Sequence, residues 1–246
     1  MIIFQTYFIL IYFTCFVTAI VSATFGFLGG TILLAVLAQF MRMDAVIPIH
    51  GFIQLISNSS RAWMLRPHIS WLICRESIIG TIIGGIVGYF YLIQIPENVF
   101  NVCLGFFILF VTFVPKFKTN IKFKYKWVAI GFLVSSVGLF MGAVGTLVGS
   151  LLFAENLERK PMVATQAMLQ SVVHVAKIIV FTMLGFSLAP WIYLIAGCVV
   201  ATFAGTYVGT KVLDKIPQKL FRTLITIILV GLSIRLIWSG FVTSTV

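Results

Sequence analysis

His50, Gln54, Asn58 and Arg61 follow one another at spacings of four, four and three, and 116 positions later Gln166, Gln170, His174 and Lys177 repeat that register. Side chains so spaced share one face of a helix. Both stripes cross apolar sequence, where an unpartnered polar group is costly. Amide and imidazole groups suit an oxyanion, because each can bond an oxygen without burying a full charge. Two such faces brought together make a central site for a polar solute, with Gln54, Asn58, Gln170 and His174 as its core.

Each residue also has a plainer reading. A single glutamine in lipid is explained by a bond between helices, whereas the related pair Gln54 and Gln170 beside Asn58 and His174 favours the site. His174 is a candidate proton carrier or a structural hydrogen-bonder. Lys177, flanked by Val175, Ala176, Ile178 and Ile179, is a candidate attractor of anions. Arg61 is expected to snorkel to headgroups at its helix end, and His50 to line the approach to the site or end a helix.

The elements that must position these residues are membrane helices. Of 246 residues, 61% are hydrophobic and 9% charged, where a soluble domain carries about a quarter charged. Nearly uncharged runs at 2–40, 77–96, 98–115, 127–154 and 189–210 read as membrane spans, and short alternating segments of a β-barrel are missing. The fold class is an all-α polytopic membrane protein embedded in a lipid bilayer. The net charge is +11, and its densest cluster is Lys116, Lys118, Lys122, Lys124 and Lys126, a loop signature of the cytoplasmic side rather than of a nucleic-acid partner. Four separated cysteines form no CxxC pair, so neither metal nor disulfide is expected. The N-terminus has no basic residue ahead of its apolar run, so no cleaved signal peptide is expected.

The basic loop 115–126 separates a first repeat, 1–114, from a second, 127–246. At an offset of 116, Gly26 falls on Gly142, Gly29 on Gly145 and Gln54 on Gln170; at 121, Gly84 falls on Gly205, Gly88 on Gly209, Pro96 on Pro217 and Phe100 on Phe221. Ordered Gly, Pro and Gln matches in an apolar chain point to an internal duplication. Each half reads as a Gly-interrupted segment (11–40, 127–154), the polar-striped helix (45–64, 161–182), a small-residue helix (71–92, 190–212) and a plain apolar helix (98–114, 220–238).

The runs Gly26–Thr31 and Gly142–Thr146 break a helix, and irregular backbone at membrane depth must be buried in protein or face a watery cavity. Each segment is either one broken span or a re-entrant hairpin. Hairpins leave three full crossings per half and make the repeats inverted, which puts Arg66, the 116–126 lysines, Arg159, Lys160, Lys211, Lys215, Lys219 and Arg222 on one side. That arrangement accounts better for the charges, although residues 2–25 are long enough for a complete span. Helix N-termini at the breaks, with Gly29, Gly30 and Gly145, would offer N–H groups and positive dipole ends, and Thr31 and Thr146 hydroxyls.

No HExxH, GxSxG, phosphate loop or dinucleotide fingerprint is present, so no enzyme and no cofactor are expected. Six acids, mostly in loops, leave no material for a carboxylate metal site and favour an anion as solute.

The stretches Gly26–Thr31, Pro48–Gly51, Gln54–Arg61, Gly142–Thr146, Glu158–Lys160, Val163–Ala167 and His174–Lys177 resemble the TauE/SafE family of sulfite and sulfonate exporters over most of the chain. The resemblance implies a duplicated multi-pass protein of the bacterial inner membrane that moves small sulfur-containing or organic anions. It departs from the family pattern at Gly145-Thr146-Leu147, where a Gly triplet is usual. The function expected is a secondary transporter of a small anion by alternating access, with a proton as the favoured coupling ion. A passive anion channel and a non-transporting assembly or sensor protein are the alternatives, and a homo-oligomer stays open.

Overall fold

The structure is a computed structural model that describes residues 2–25, 28–91, 97–113, 123–141, 144–155, 157–212 and 218–242. Among these, every regular element is helical: α1 (Ile2–Phe25), α2 (Leu28–Leu37), α3 (Met43–Met64), α4 (Trp71–Tyr91), α5 (Glu97–Phe113), α6 (Lys126–Met141), α7 (Gly145–Ala154), α8 (Arg159–Met183), α9 (Ile192–Val212) and α10 (Gln218–Val242). The basic loop expected at 115–126 lies largely outside the described residues.

The stretches Tyr7–Thr24, Trp71–Phe90, Arg159–Met183 and Ala189–Val212 are long and apolar enough to cross a membrane. The burial pattern is that of a protein in lipid. The two bulkiest fully buried side chains are Arg61 and Lys177, while Ile9, Phe13, Leu72, Phe90, Phe110 and Trp238 are exposed. A soluble fold places its charges the other way; here backbone and polar groups find their partners inside. Aromatic side chains mark the ends of the bundle as they do at membrane interfaces: Trp63 and Trp71 flank the α3–α4 link, with the Arg66 guanidinium 4.4 Å from the Trp63 ring centre, and Tyr193 is exposed at the start of α9.

The sequence dictates the breaks and stops. α1 ends at Phe25 and α2 begins at Leu28; α6 ends at Met141 and α7 begins at Gly145. Both segments double back. The Tyr7 and Phe40 rings lie 4.9 Å apart, and Lys126 Nζ donates to Glu155 Oε1 at 2.6 Å, so each hairpin returns to the face it left. The halves are unequal here, since α1 has 24 residues and α6 only 16. Gly29 makes the first hairpin tight: a Cβ there would strike the Thr18 carbonyl and the Ser22 hydroxyl of α1. α3 and α8 are each followed by a short link with a Pro-containing 3-10 turn, Arg66–His68 and Ala189–Trp191. At the end of α8, Gly185 (φ 91°) supplies the left-handed residue of a Schellman stop, with Gly185 N–H bonded to Thr182 O and Phe186 N–H to Phe181 O.

Helices exchange partners between the two halves. α4 packs along α6, and α1 along α9. Gly84 of α4 rests on the Phe132 backbone and Gly205 of α9 on the Phe16 backbone; the two glycines differ by the 121 and the two phenylalanines by the 116 read in the sequence. Gly88 likewise meets Ser136 and Leu139, as Gly209 meets Ile20 and Ala23. Small residues let these backbones approach where packing must supply the cohesion. α5 pairs with α10, and at the centre α3 crosses α8. Along that crossing His50 meets His174, Gly51 the stem of Lys177, and Ser59 Oγ the Ser171 Oγ at 3.3 Å. Numbers rise along α3 as they fall along α8, so the two striped helices run antiparallel.

Candidate functional site

The stripe residues meet the helix breaks. The N-terminal turn of α2 is held to α3 by His50, whose Nε2 lies 2.9 Å from the Gly30 carbonyl. The N-terminal turn of α7 is held to α8 by Gln166, whose Nε2 donates to the Gly145 carbonyl at 2.8 Å. His50 and Gln166 are the first members of the two stripes, so one clasp occurs twice with different side chains. Since a carbonyl only accepts, His50 carries its proton on Nε2 when neutral, leaving Nδ1 as the bare nitrogen.

Between the clasps lies a cavity of about 20 Å3 lined by Ser22, Gly30, Thr31, His50, Gln54, Asn58, Arg61, Gly145, Gln166, Gln170 and His174. That is room for about one water. Seven of its eleven lining residues come from the stripes of α3 and α8, and the positive ends of α2 and α7 abut it. Among the described residues no carboxylate lines it.

Hydrogen bonds within the wall run in one direction. Arg61 Nη2 donates to Asn58 Oδ1. Asn58 Nδ2 in turn donates to the Gln54 carbonyl at 2.8 Å and reaches Gln54 Oε1 at 3.4 Å. This relay holds the Gln54 amide over Gly30, where a Cβ would come within 3.3 Å of it. On the facing wall, Gln170 Nε2 is buried with no hydrogen-bond partner, as are Arg61 Nε and Nη1, Thr31 Oγ1 and the Nδ1 atoms of His50 and His174. Buried polar groups ordinarily find partners; of the unsatisfied ones among the described residues, those of Thr31, His50, Arg61, Gln166, Gln170 and His174 belong to the lining of this one cavity, while Ser57, Thr202 and Thr206 lie elsewhere. Most are donors or can become donors by changing tautomer or protonation, with Gln166 Oε1 a lone amide acceptor among them.

Of the residues singled out in the sequence, Gln54, Asn58, Gln170, His174, Thr31, Gly30 and Gly145 line this cavity. Gly29 does not; it serves the α1–α2 contact. Lys177 is buried just beyond the wall, its aliphatic stem against Gly51, and the Thr146 side chain lies outside the described residues. The expectation that Arg61 snorkels to headgroups is corrected: at 1% exposure it points inward, where Asn58 one turn earlier offers a side-chain acceptor inside the bundle. Ser22 is a lining residue that the stripe arithmetic missed. It sits on α1, outside both stripes, and only the folding back of α2 brings it in.

A family model described as "Sulfite exporter TauE/SafE" matches residues 11–236. No curated protein and no solved structure matches. The match spans both hairpins, both striped helices and nearly all of the described bundle, and the chain therefore belongs to the TauE/SafE sulfite exporter family, whose members are membrane transporters.

Proposed function

We propose that the protein is a secondary transporter of a small organosulfur or organic anion, such as sulfite, sulfoacetate or a sulfonate, working by alternating access in the bacterial inner membrane. The observation that carries this reading is the convergence of buried, unsatisfied donors on a cavity with no carboxylate among its described lining residues. Gln54, Asn58, Gln170, His174, Thr31 and the N-terminal turns at Gly30 and Gly145 hold the anion; Arg61 and Lys177 supply positive charge. Donors fixed in place before the ligand arrives favour an oxyanion over water, because their orientation is already set.

Two inverted repeats supply the moving parts. The equivalent clasps, the glycine contacts at matching offsets and the antiparallel crossing of α3 and α8 support that architecture. A cavity of about 20 Å3 is too small for a sulfonate, so α3 and α8 must part for the solute to enter. Rocking one repeat against the other opens the crossing to each side in turn.

The test is uptake of labelled sulfite, sulfoacetate and simple carboxylates into proteoliposomes. Removing one hydrogen bond to a charged ligand costs about 1.5–3 kcal/mol, so Gln54→Ala and Gln170→Ala should each weaken apparent affinity roughly 10- to 100-fold. If no anion moves, the proposal falls. If anion movement appears as current far above carrier turnover, the protein is a channel.

A further inference from the structure

We infer that His50 is the binding site for a proton that travels with the anion. The inference rests on the transporter reading and adds the identity of the coupling ion and its seat.

The clasp on α2 could have been made by an amide, as the clasp on α7 is: Gln166 bonds the Gly145 carbonyl as His50 bonds the Gly30 carbonyl. The first repeat instead uses a group that titrates. Its Nε2 is committed to Gly30, which fixes the neutral tautomer and leaves Nδ1 buried with no hydrogen-bond partner. That nitrogen is a proton acceptor in the wall of the proposed anion site, and on protonation it becomes a further donor to an oxyanion.

The surroundings make the proton and the anion need each other. Across the crossing, α8 presents the His174 ring, edge-on at 5.8 Å between centres, and the buried stem of Lys177 against Gly51, next in the chain to His50. Arg61 is the charged side chain among the described residues of the wall itself. α2 carries no titratable side chain, and those of α1, α6 and α9, Cys15, Lys126 and Cys198 among them, lie outside the cavity. With cations nearby and no carboxylate among the described residues of the wall, an imidazolium at 50 gains its counter-charge when an anion arrives. Anion entry therefore draws a proton from solution onto His50 Nδ1, and anion exit releases it. By linkage the two ligands favour each other's binding equally.

Sulfoacetate is the probe of choice, because unlike sulfite it does not change its charge near neutrality. In proteoliposomes, the wild-type protein should acidify the lumen as sulfoacetate enters, and apparent affinity should rise by up to about tenfold per unit fall in pH. His50→Gln copies the clasp of the second repeat and cannot titrate, so its affinity should be independent of pH and no proton should follow the anion. His174→Gln should lose affinity but keep the pH slope. A slope that survives in His50→Gln, or is lost in His174→Gln alone, overturns the assignment to His50. Wild-type transport with neither slope nor proton movement overturns coupling while leaving the transporter reading intact. No sulfoacetate, sulfite or carboxylate uptake at any pH overturns that reading as well.

Discussion

Gly84→Ala and Gly205→Ala should destabilise the protein by similar amounts, because both glycines sit in the same contact made twice. A Cβ at Gly84 would lie 3.0 Å from the Phe132 carbonyl carbon, and closer still to its oxygen; a Cβ at Gly205 would lie 3.0 Å from the Phe16 carbonyl carbon and from the Ala19 Cβ. Ordinary contact begins near 3.4 Å, and the obstacle is helix backbone, which cannot swing aside. The helix pairs must separate by roughly 1 Å, enough to forfeit a quarter to a half of the dispersion attraction of the atoms along each contact. Overpacking of this kind costs about 3 kcal/mol, against which alanine returns up to about 1 kcal/mol of helix propensity. Gly231→Ala is the control, since nothing lies within 4 Å of its Cβ. Thermal unfolding of detergent-purified protein, followed by loss of the monodisperse peak, should place both variants well below wild type and Gly231→Ala at or above it. If Gly84→Ala and Gly205→Ala melt with the control, the close contacts of α4 with α6 and α1 with α9 do not hold the bundle together.

Two other outcomes follow from the geometry. Arg61→Met should reduce anion affinity more than tenfold in the uptake assay while leaving thermal stability within about 1 kcal/mol of wild type, because it removes a buried cation whose Nε and Nη1 have no hydrogen-bond partner along with the charge that attracts the anion; unchanged affinity would remove Arg61 from the site. Cysteines placed at His68 and Ser187, exposed in the equivalent α3–α4 and α8–α9 links, should react with an impermeant reagent from opposite sides of the membrane. Labelling from the same side would mean that the repeats are parallel.

The helices were legible because apolar run length and glycine placement act locally. The doubling back of α2 on α1 and the starts of α3, α4, α8 and α9 fall close to where those signals put them, while Gly26 and Gly142 themselves lie outside the described residues. The stripe was legible for a different reason: polar residues at helical spacing in lipid must share a face, and the second half carries polar residues at the same spacing for comparison. What periodicity could not reveal was the partner of each face. Ser22 enters the wall through the fold-back of α2, and Gly29, adjacent to cavity-lining Gly30, instead serves the contact with α1. Arg61 turns inward because of Asn58 on its own helix, a bond that competes with headgroups and cannot be weighed from spacing alone. Likewise, the ion pair of Lys126 with Glu155 joins the two ends of a hairpin that charge placement favoured without naming this contact.

The exchange of helices between halves has a consequence for synthesis. When the first half has been inserted, the glycine face of α4 has no α6 to rest on, and α1 waits for α9, which emerges late in the second half. Those faces must spend that interval against lipid or the insertion machinery. Neither half is thus a folding unit in its own right, yet each is the template the other requires. Two separate polypeptides, one per half, expressed together in the same membrane, should assemble into the complete bundle where either alone is degraded.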